Sequence, residues 1–260
     1  MKGIILCGGA GSRLYPLTKI TSKQLLPVYD RPMVFYPLQT LLSAGIREIL
    51  FIAAPESAGD FLRLLGSGKE YGAKFTYEIQ DRPEGLAQAF IIGQNFIDDD
   101  NVALILGDNI FEDDFSSAIS KFKSGGHIFA KKVPDPERFG VVRFNEKMQA
   151  EEIVEKPLGR ISDYAITGLY IFDSRVVEVA KNLEKSARGE YEITDVQNWY
   201  LRKGELQATA IEGEWIDAGT FDSLLKANNY AARKHAQEAR QEKTQNTQAQ
   251  GARKIANQNV

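Results

Sequence analysis

The sequence predicts an α/β protein: a Rossmann-like, mostly parallel mixed sheet flanked by helices, with a smaller β-rich subregion in its second half. Three observations carry that reading. Short apolar runs at residues 4–7 and 102–106 end in glycines, as strands buried on both faces do. Stretches with helical apolar spacing separate such runs, and this alternation implies parallel strands joined by helical crossovers. Gly8-Gly9 and Gly107-Asp108 then fall at strand carboxyl ends, where open α/β sheets bind their ligands.

The elements follow in order. After the first strand, residues 33–44 carry Val34, Leu38, Leu41 and Leu42 near helical spacing, and Gly45 supplies a stop. Residues 46–54 (IREILFIAA) read as a strand, 56–65 as a helix, 75–80 as a strand and 86–96 as a helix. The VALIL run at 102–106 is a second buried strand. Beyond it the pattern is less regular, with strands expected at 139–144, 152–155, 164–172 and 206–211, and helices at 174–183 and 194–203. A last helix starts at Phe221 and is expected to end near Arg240. Residues 241–260 offer Ile255 and Val260 as their only large aliphatics and no aromatic, so they are expected to be disordered or frayed. One domain is therefore expected over 1–240, and no internal repeat is visible.

Composition narrows the chemistry. With 43% hydrophobic and 26% charged residues the chain is an ordinary globular one. A net charge of −3 with scattered Lys and Arg argues against a nucleic-acid partner, which would require a basic face. The apolar run near Met1 is too short for a signal peptide or membrane span, so a cytoplasmic protein is expected. Cys7 is the only cysteine, and His127 and His235 are the only histidines, so neither a disulfide nor a Cys/His metal cluster can form. Any catalytic metal should be a hard ion held by carboxylates.

The loop Gly8-Gly9-Ala10-Gly11-Ser12-Arg13 lets backbone N–H groups approach an anion, and Arg13 adds a planar cationic fork. A flexible strand-to-helix turn explains the same glycines equally well. The spacing fits neither the dinucleotide G-x-G-x-x-G nor the G-x-x-x-x-G-K-[ST] phosphate loop. Asp108, at the end of a buried strand, is costly unless it is paired or metal-bound. Taken singly, Lys23 reads as a surface lysine, Gln80 as a polar strand end, Glu155-Lys156 as a solvated pair and Asp217 as a loop or cap aspartate.

In series the motifs are more telling. The run from Gly3 to Pro32 resembles the signature of sugar-1-phosphate nucleotidyltransferases, and especially of the members that use dTTP and glucose 1-phosphate. The similarity continues through QDRPEGLAQAF from Gln80, Gly107-Asp108-Asn109, Phe139-Gly140-Val141-Val142, Glu155-Lys156-Pro157 and Thr167-Gly168-Leu169-Tyr170. It ends through Arg188-Gly189-Glu190, Glu192 to Val196 and Trp215 to Thr220, covering about residues 1–230 in order.

The resemblance implies roles residue by residue. Gly8, Gly9, Gly11, Ser12 and Arg13 would wrap the triphosphate, with Lys23 and Gln24 beside it and Arg13 facing the leaving pyrophosphate. Gln80, Gly85 and Leu86 would meet the thymine, whose adjacent acceptor and N–H suit a glutamine amide. Asp108 and Asp217 would hold Mg²⁺. Lys156 and Arg188 would grip the sugar phosphate, Glu155 its hydroxyls, while Gly140, Thr167 and Tyr170 would line the hexose. Arg13, Lys23, Asp108 and Lys156 would be the catalytic set. Residues 1–110 would mainly bind nucleotide and 111–240 mainly sugar phosphate. The implied partners are dTTP, glucose 1-phosphate and pyrophosphate, with association into a homo-oligomer. The rival readings are the same chemistry with UTP, and a non-catalytic nucleotide-sugar-binding regulator; retention of both aspartates disfavours the second. Longer members carry a further helical segment after the region of Asp217 that completes a regulatory site, and a Gln-, Asn- and Ala-rich stretch stands here instead.

Overall fold

The computed structural model describes residues 1–9 and 11–258, and their side chains as far as Gln241; Ala10, inside the expected phosphate loop, lies outside the described residues, as do Asn259 and Val260. In chain order the elements are β1 (Lys2–Cys7), β2 (Pro27–Val28), β3 (Arg31–Pro32), α1 (Phe35–Ser43), β4 (Glu48–Ala53), α2 (Pro55–Leu65), β5 (Lys74–Ile79), α3 (Gln88–Ile92), α4 (Gln94–Ile97), β6 (Val102–Leu106) and β7 (Asn109–Phe111). The second half adds α5 (Ser116–Lys121), β8 (Gly126–Lys132), β9 (Gly140–Phe144), β10 (Ala150–Glu155), β11 (Tyr164–Phe172), α6 (Val176–Lys181), α7 (Ile193–Arg202), β12 (Leu206–Ala210), β13 (Trp215–Asp217) and α8 (Phe221–Gln258).

A nine-stranded sheet runs β10-β9-β11-β6-β1-β4-β5, with β8 pairing β11 and β12 off that path. Strands β5, β4, β1 and β6 are parallel to their neighbours in that group. The chain first builds outward from β1 through β4 to β5, then returns to the other side of β1 with β6. That reversal makes the crevice beyond the carboxyl ends of β1 and β6 the switch point of the sheet. Beyond β6 the order changes to antiparallel, with β11 against β6 and β9 against β11 and β10.

Side-chain alternation sets the two layers. Ile4, Leu6, Leu50, Ile52, Val102 and Leu104 face one core with Phe90, Val176 and Tyr200; Ile5, Cys7, Ile49, Phe51, Ala103 and Ile105 face the other with Leu38, Leu41 and Phe61. A third cluster joins Ile110 of β7, Ile216 of β13 and Tyr230 of α8.

The structure corrects several expectations. The helix expected over 86–96 is two short ones, with Gly93 as the break and its amide bonded to the Ala89 carbonyl. Strands β7, β8 and β13 and the β2–β3 hairpin carried no readable pattern, being short or mixed in polarity. The last helix does not stop near Arg240: its backbone stays helical to Gln258. Lack of large apolar residues in 241–260 rules out a buried face but not a helical backbone, because Ala, Gln, Lys, Arg and Glu are strong helix formers. Among the described residues no helix is long and apolar enough to cross a membrane.

Candidate active site

A cavity of about 540 Å³ opens at the switch point and extends under the antiparallel strands. The expected residues Gly8, Arg13, Lys23, Gln24, Leu86, Asp108, Gly140, Glu155, Lys156, Tyr170, Arg188 and Asp217 all line it.

At one end stand the two aspartates. Asp108 follows β6 and Asp217 ends β13, and the short β7–β13 ladder brings them together by setting Asp217 opposite Asn109. The Ala218 amide donates to the Asp108 carbonyl at 2.9 Å and locks the two turns. Lys23 forms a buried ion pair with the Asp108 carboxylate. Burial works against that carboxylate, yet the Lys23 ammonium and the Asn109 amide, 3.1 Å from Oδ1, hold its pKa below the usual value. Asp217 is pushed up to about 6, first by burial and then by the Asp108 charge, with Lys23 and Arg13 pulling the other way. Arg13 comes close to this corner: a methyl added at Gly219 would stand 2.8 Å from its Nη2 and 2.9 Å from Asp217 Oδ1. Two carboxylates and two cations thus occupy one corner of the cavity.

The opposite end is more open. Lys156 follows β10 with φ +39°, a backbone region that side chains other than glycine seldom adopt. Its amide still donates to Phe139 O at 3.1 Å, and its Nζ lies 3.7 Å from Glu155 Oε1. Arg188 reaches Glu192 at 2.8 Å, and Glu155 and Glu190 at 3.3 Å each. Burial raises the pKa of Glu155. Gly140 leaves room here, since an added methyl would stand 2.9 Å from Thr194 Cγ2 and 3.2 Å from Glu155 Oε2. Tyr170 lies between the ends: burial raises its phenol, and the charges of Glu155, Asp217 and Asp108 add to that.

Some expected residues lie elsewhere. Thr167 is fully buried, and its hydroxyl donates to Phe129 O at 3.0 Å, so its side chain cannot line the hexose. The cause is strand alternation: Ile166, Gly168 and Tyr170 face the cavity, and Thr167 points the other way. Gln80 and Gly9 border a neighbouring hollow of about 420 Å³. There the Gln80 amide donates to Gln88 Oε1 at 2.7 Å, and its own oxygen sits so close to Gly8 that any added methyl would overlap it. Gly9 and Gly11 take φ +97° and +59°, and the Gly11 carbonyl accepts from Thr18 Oγ1 at 2.9 Å. Gly11, Ser12 and Gly85 line neither cavity, and Gly85 packs against the Tyr191 backbone.

A family model described as nucleotidyl transferase matches residues 2–234. The chain belongs to the nucleotidyl transferase family. Within it, the glucose-1-phosphate thymidylyltransferase of Neisseria meningitidis is 52% identical over 236 residues, 88% of this chain and 82% of that protein. The enzyme of that name from Mycobacterium tuberculosis is also 52% identical, over 235 residues with the same coverage. Among solved structures, a protein from Bacillus anthracis described as a glucose-1-phosphate thymidylyltransferase and crystallised with sucrose superimposes with a TM-score of 0.85 at 47% identity, covering 89% of this chain and 95% of that one. A UDP-glucose pyrophosphorylase complexed with UDP-glucose has a TM-score of 0.78 at 22% identity over 90% of this chain and 98% of that one, which shows a shared fold.

In this nucleotidyl transferase several cavity residues escaped single-residue reading. Asn109 accepts from Trp215 Nε1 at 2.6 Å and from the Gly168 amide at 3.1 Å, so it fixes the Asp108 corner through three partners. Arg138, Phe139, Glu192, Thr194 and Gln197 also line the cavity. Most lie inside motifs already recognised as runs, but a run does not say which members face inward. Among the described residues no group of three or more His, Cys, Asp or Glu is placed to hold a metal. Asp108 and Asp217 alone suit a Mg²⁺ ion, which takes one or two carboxylates and completes its shell with water and substrate phosphate.

Proposed function

We propose that this chain transfers a thymidylyl group from dTTP to glucose 1-phosphate, giving dTDP-glucose and pyrophosphate. The observation that carries the reading is one cavity with a carboxylate pair flanked by Lys23 and Arg13 at one end, and Lys156 and Arg188 beside Glu155 at the other. The relatives of that name, at 52% identity over most of both chains, support the same substrates.

A phosphate oxygen of glucose 1-phosphate attacks the α-phosphorus of dTTP; the bond to the β-phosphate breaks, and its electrons leave on pyrophosphate. The attacking oxygen is already anionic, so no base is needed, and no histidine lines the cavity. The obstacle is repulsion between two anions, about 4 kcal/mol per pair of unit charges 4 Å apart at an effective dielectric near 20. Lys156 and Arg188 hold the attacking phosphate; Lys23 and Arg13 face the triphosphate and the departing pyrophosphate. Gly8 and Gln24 meet the triphosphate, with Gly9, Gly11 and Ser12 giving their loop its turn, and Leu86 meets the base, with Gln80 behind Gly8 and Gly85 holding the segment against Tyr191. Glu155, Gly140 and Tyr170 bound the sugar. Asp108 and Asp217 would hold Mg²⁺, which supplies charge neutralisation at the phosphates when bound. Catalysis is then positioning and electrostatics, as in phosphoryl transfer generally.

Pyrophosphate release on mixing the chain with dTTP, glucose 1-phosphate and Mg²⁺ tests the reading. The expected result is release that needs all three additions; none above background would refute it. Running UTP in competition separates the uridylyl alternative, because one methyl in an apolar pocket discriminates by only ~1–3 kcal/mol. Self-association belongs to the same reading, supported by Phe221 and Leu225, which are exposed four residues apart on α8. A mass above one 29.0 kDa chain in solution scattering is expected.

A further inference from the structure

Gln197 is the anomaly of the cavity. It lies on the buried face of α7 with Ile193, Thr194, Val196 and Tyr200, and it is fully shielded from solvent. Among the described residues neither its Oε1 nor its Nε2 has a hydrogen-bond partner. A buried carboxamide left unmatched is destabilising, and such groups in folded proteins are few. Yet its helix is anchored all round it: Asn198 Nδ2 donates to Ile153 O at 3.2 Å, and Tyr200 Oη donates to Asp173 at 2.9 Å. Gln197 is also a residue of the cavity wall, one helical turn from Ile193 and Thr194, which share that wall with Glu155 and Gly140.

The polarity of the surrounding wall says what would complete it. The charged groups stand at the open side, where the side chains of Lys156 and Arg188 are 48% and 37% exposed. Gln197 is uncharged and lies deep. A ligand matching this gradient is anionic at its outer end and neutral but polar at its inner end. A carboxamide with both atoms open offers one acceptor and two donor hydrogens. A sugar hydroxyl both donates and accepts, so it fits an amide of that kind in either orientation.

We infer that Gln197 is a specificity-determining residue of the sugar subsite, whose carboxamide hydrogen-bonds a ring hydroxyl of the hexose 1-phosphate. The inference rests on the activity proposed above. It separates glucose 1-phosphate from analogues that lack, or invert, the hydroxyl that faces α7. It leaves the nucleotide end untouched.

The test compares wild type with Gln197→Met, which keeps length and removes both polar atoms, and with Gln197→Leu. Wild-type turnover of dTTP and glucose 1-phosphate decides the activity by itself. The variants are then assayed against glucose 1-phosphate and its 2-, 3-, 4- and 6-deoxy analogues. The expected result is a 10- to 100-fold fall in kcat/KM for glucose 1-phosphate, with the KM for dTTP unchanged. For one deoxy analogue, wild type and variants should become equal, because the lost hydroxyl and the lost amide are the two ends of one bond. Melting temperature supplies a readout that a merely structural role would move the other way: both variants should melt at or above the wild-type temperature. A uniform loss across all analogues, unchanged selectivity, or variants that unfold or melt well below wild type would each overturn the assignment.

Discussion

The two ends of the cavity handle charge in opposite ways. Around Asp108 the ion pair with Lys23 is buried, and the aspartate is held further by Asn109 Nδ2 on its carboxylate and the Ala218 amide on its carbonyl. Around Arg188 the guanidinium is shared among Glu155, Glu190 and Glu192 at a half-open surface. A buried pair is expensive to break because it strands a charge, whereas surface pairs trade partners at little cost. The first end is therefore built in advance, and the second can exchange its internal carboxylates for an incoming phosphate.

Substitutions can break that contrast. Asp108→Asn removes the carboxylate that pairs with Lys23 and that the proposed reaction assigns to Mg²⁺, and kcat should fall about 10³-fold, a loss of ~4 kcal/mol in transition-state stabilisation. Steady-state kinetics with Mg²⁺ check it, and a near-wild-type kcat would end the metal assignment. At the open end, Lys156→Ala should act mainly on the sugar phosphate, raising its KM by about 10- to 100-fold, as expected for one charge-assisted contact of about 1.5–3 kcal/mol. If the KM for dTTP rose equally, the two ends would not be separable. Gly8→Ala pushes a methyl into Gln80 Oε1, and its expected mark is a KM for dTTP raised about tenfold with the fold intact, readable by kinetics and circular dichroism together.

Stability sharpens the comparison further. Asp217, with its pKa raised to about 6, holds its proton more tightly in the folded protein than in the unfolded chain. Its charge thus costs stability as pH rises from its unfolded value near 3.9 through 6. Asp217→Asn should raise stability at pH 8 by about 1–2 kcal/mol in urea melts without metal, and the gain should vanish near pH 4. His127, far from the corner, behaves in the reverse sense. Burial lowers its pKa to about 4, and its Nε2 lies 2.8 Å from Thr209 Oγ1. The stability it contributes is complete above the unfolded value near 6.5 and is lost as pH falls towards 4. His127→Gln should flatten that acid limb by up to about 3 kcal/mol, and an unchanged limb would place the loss elsewhere.

Part of the sheet could be read locally. Residues 102–106 and 164–172 form strands with the boundaries their apolar runs mark, because a strand buried on both faces needs little polar alternation. The same logic puts the glycine loop and Asp108 at one rim. Strand β8 escaped it, since its apolar core is short and flanked by Gly126 and two lysines. Thr167 turns away from the cavity because every second member of an alternating strand points to the other side, and a motif read as a run carries no facing. The meeting of Asp108 with Asp217 was not legible from spacing at all. It depends on three residues of β13 finding three of β7 across more than a hundred positions, and the family resemblance alone brought those positions together.

That three-rung ladder has a consequence in time. Since Trp215–Asp217 must be paired with Asn109–Phe111 before both acids face one another, a chain emerging from the ribosome holds its whole parallel core long before its second acid exists. Closing so long a loop for so few rungs is slow, because the entropy of bringing the ends together is lost before many contacts repay it. Any fragment ending short of residue 217 would carry the glycine loop, Lys23 and Asp108 yet lack a complete reaction centre, so maturation of that centre waits on the latest-made strand.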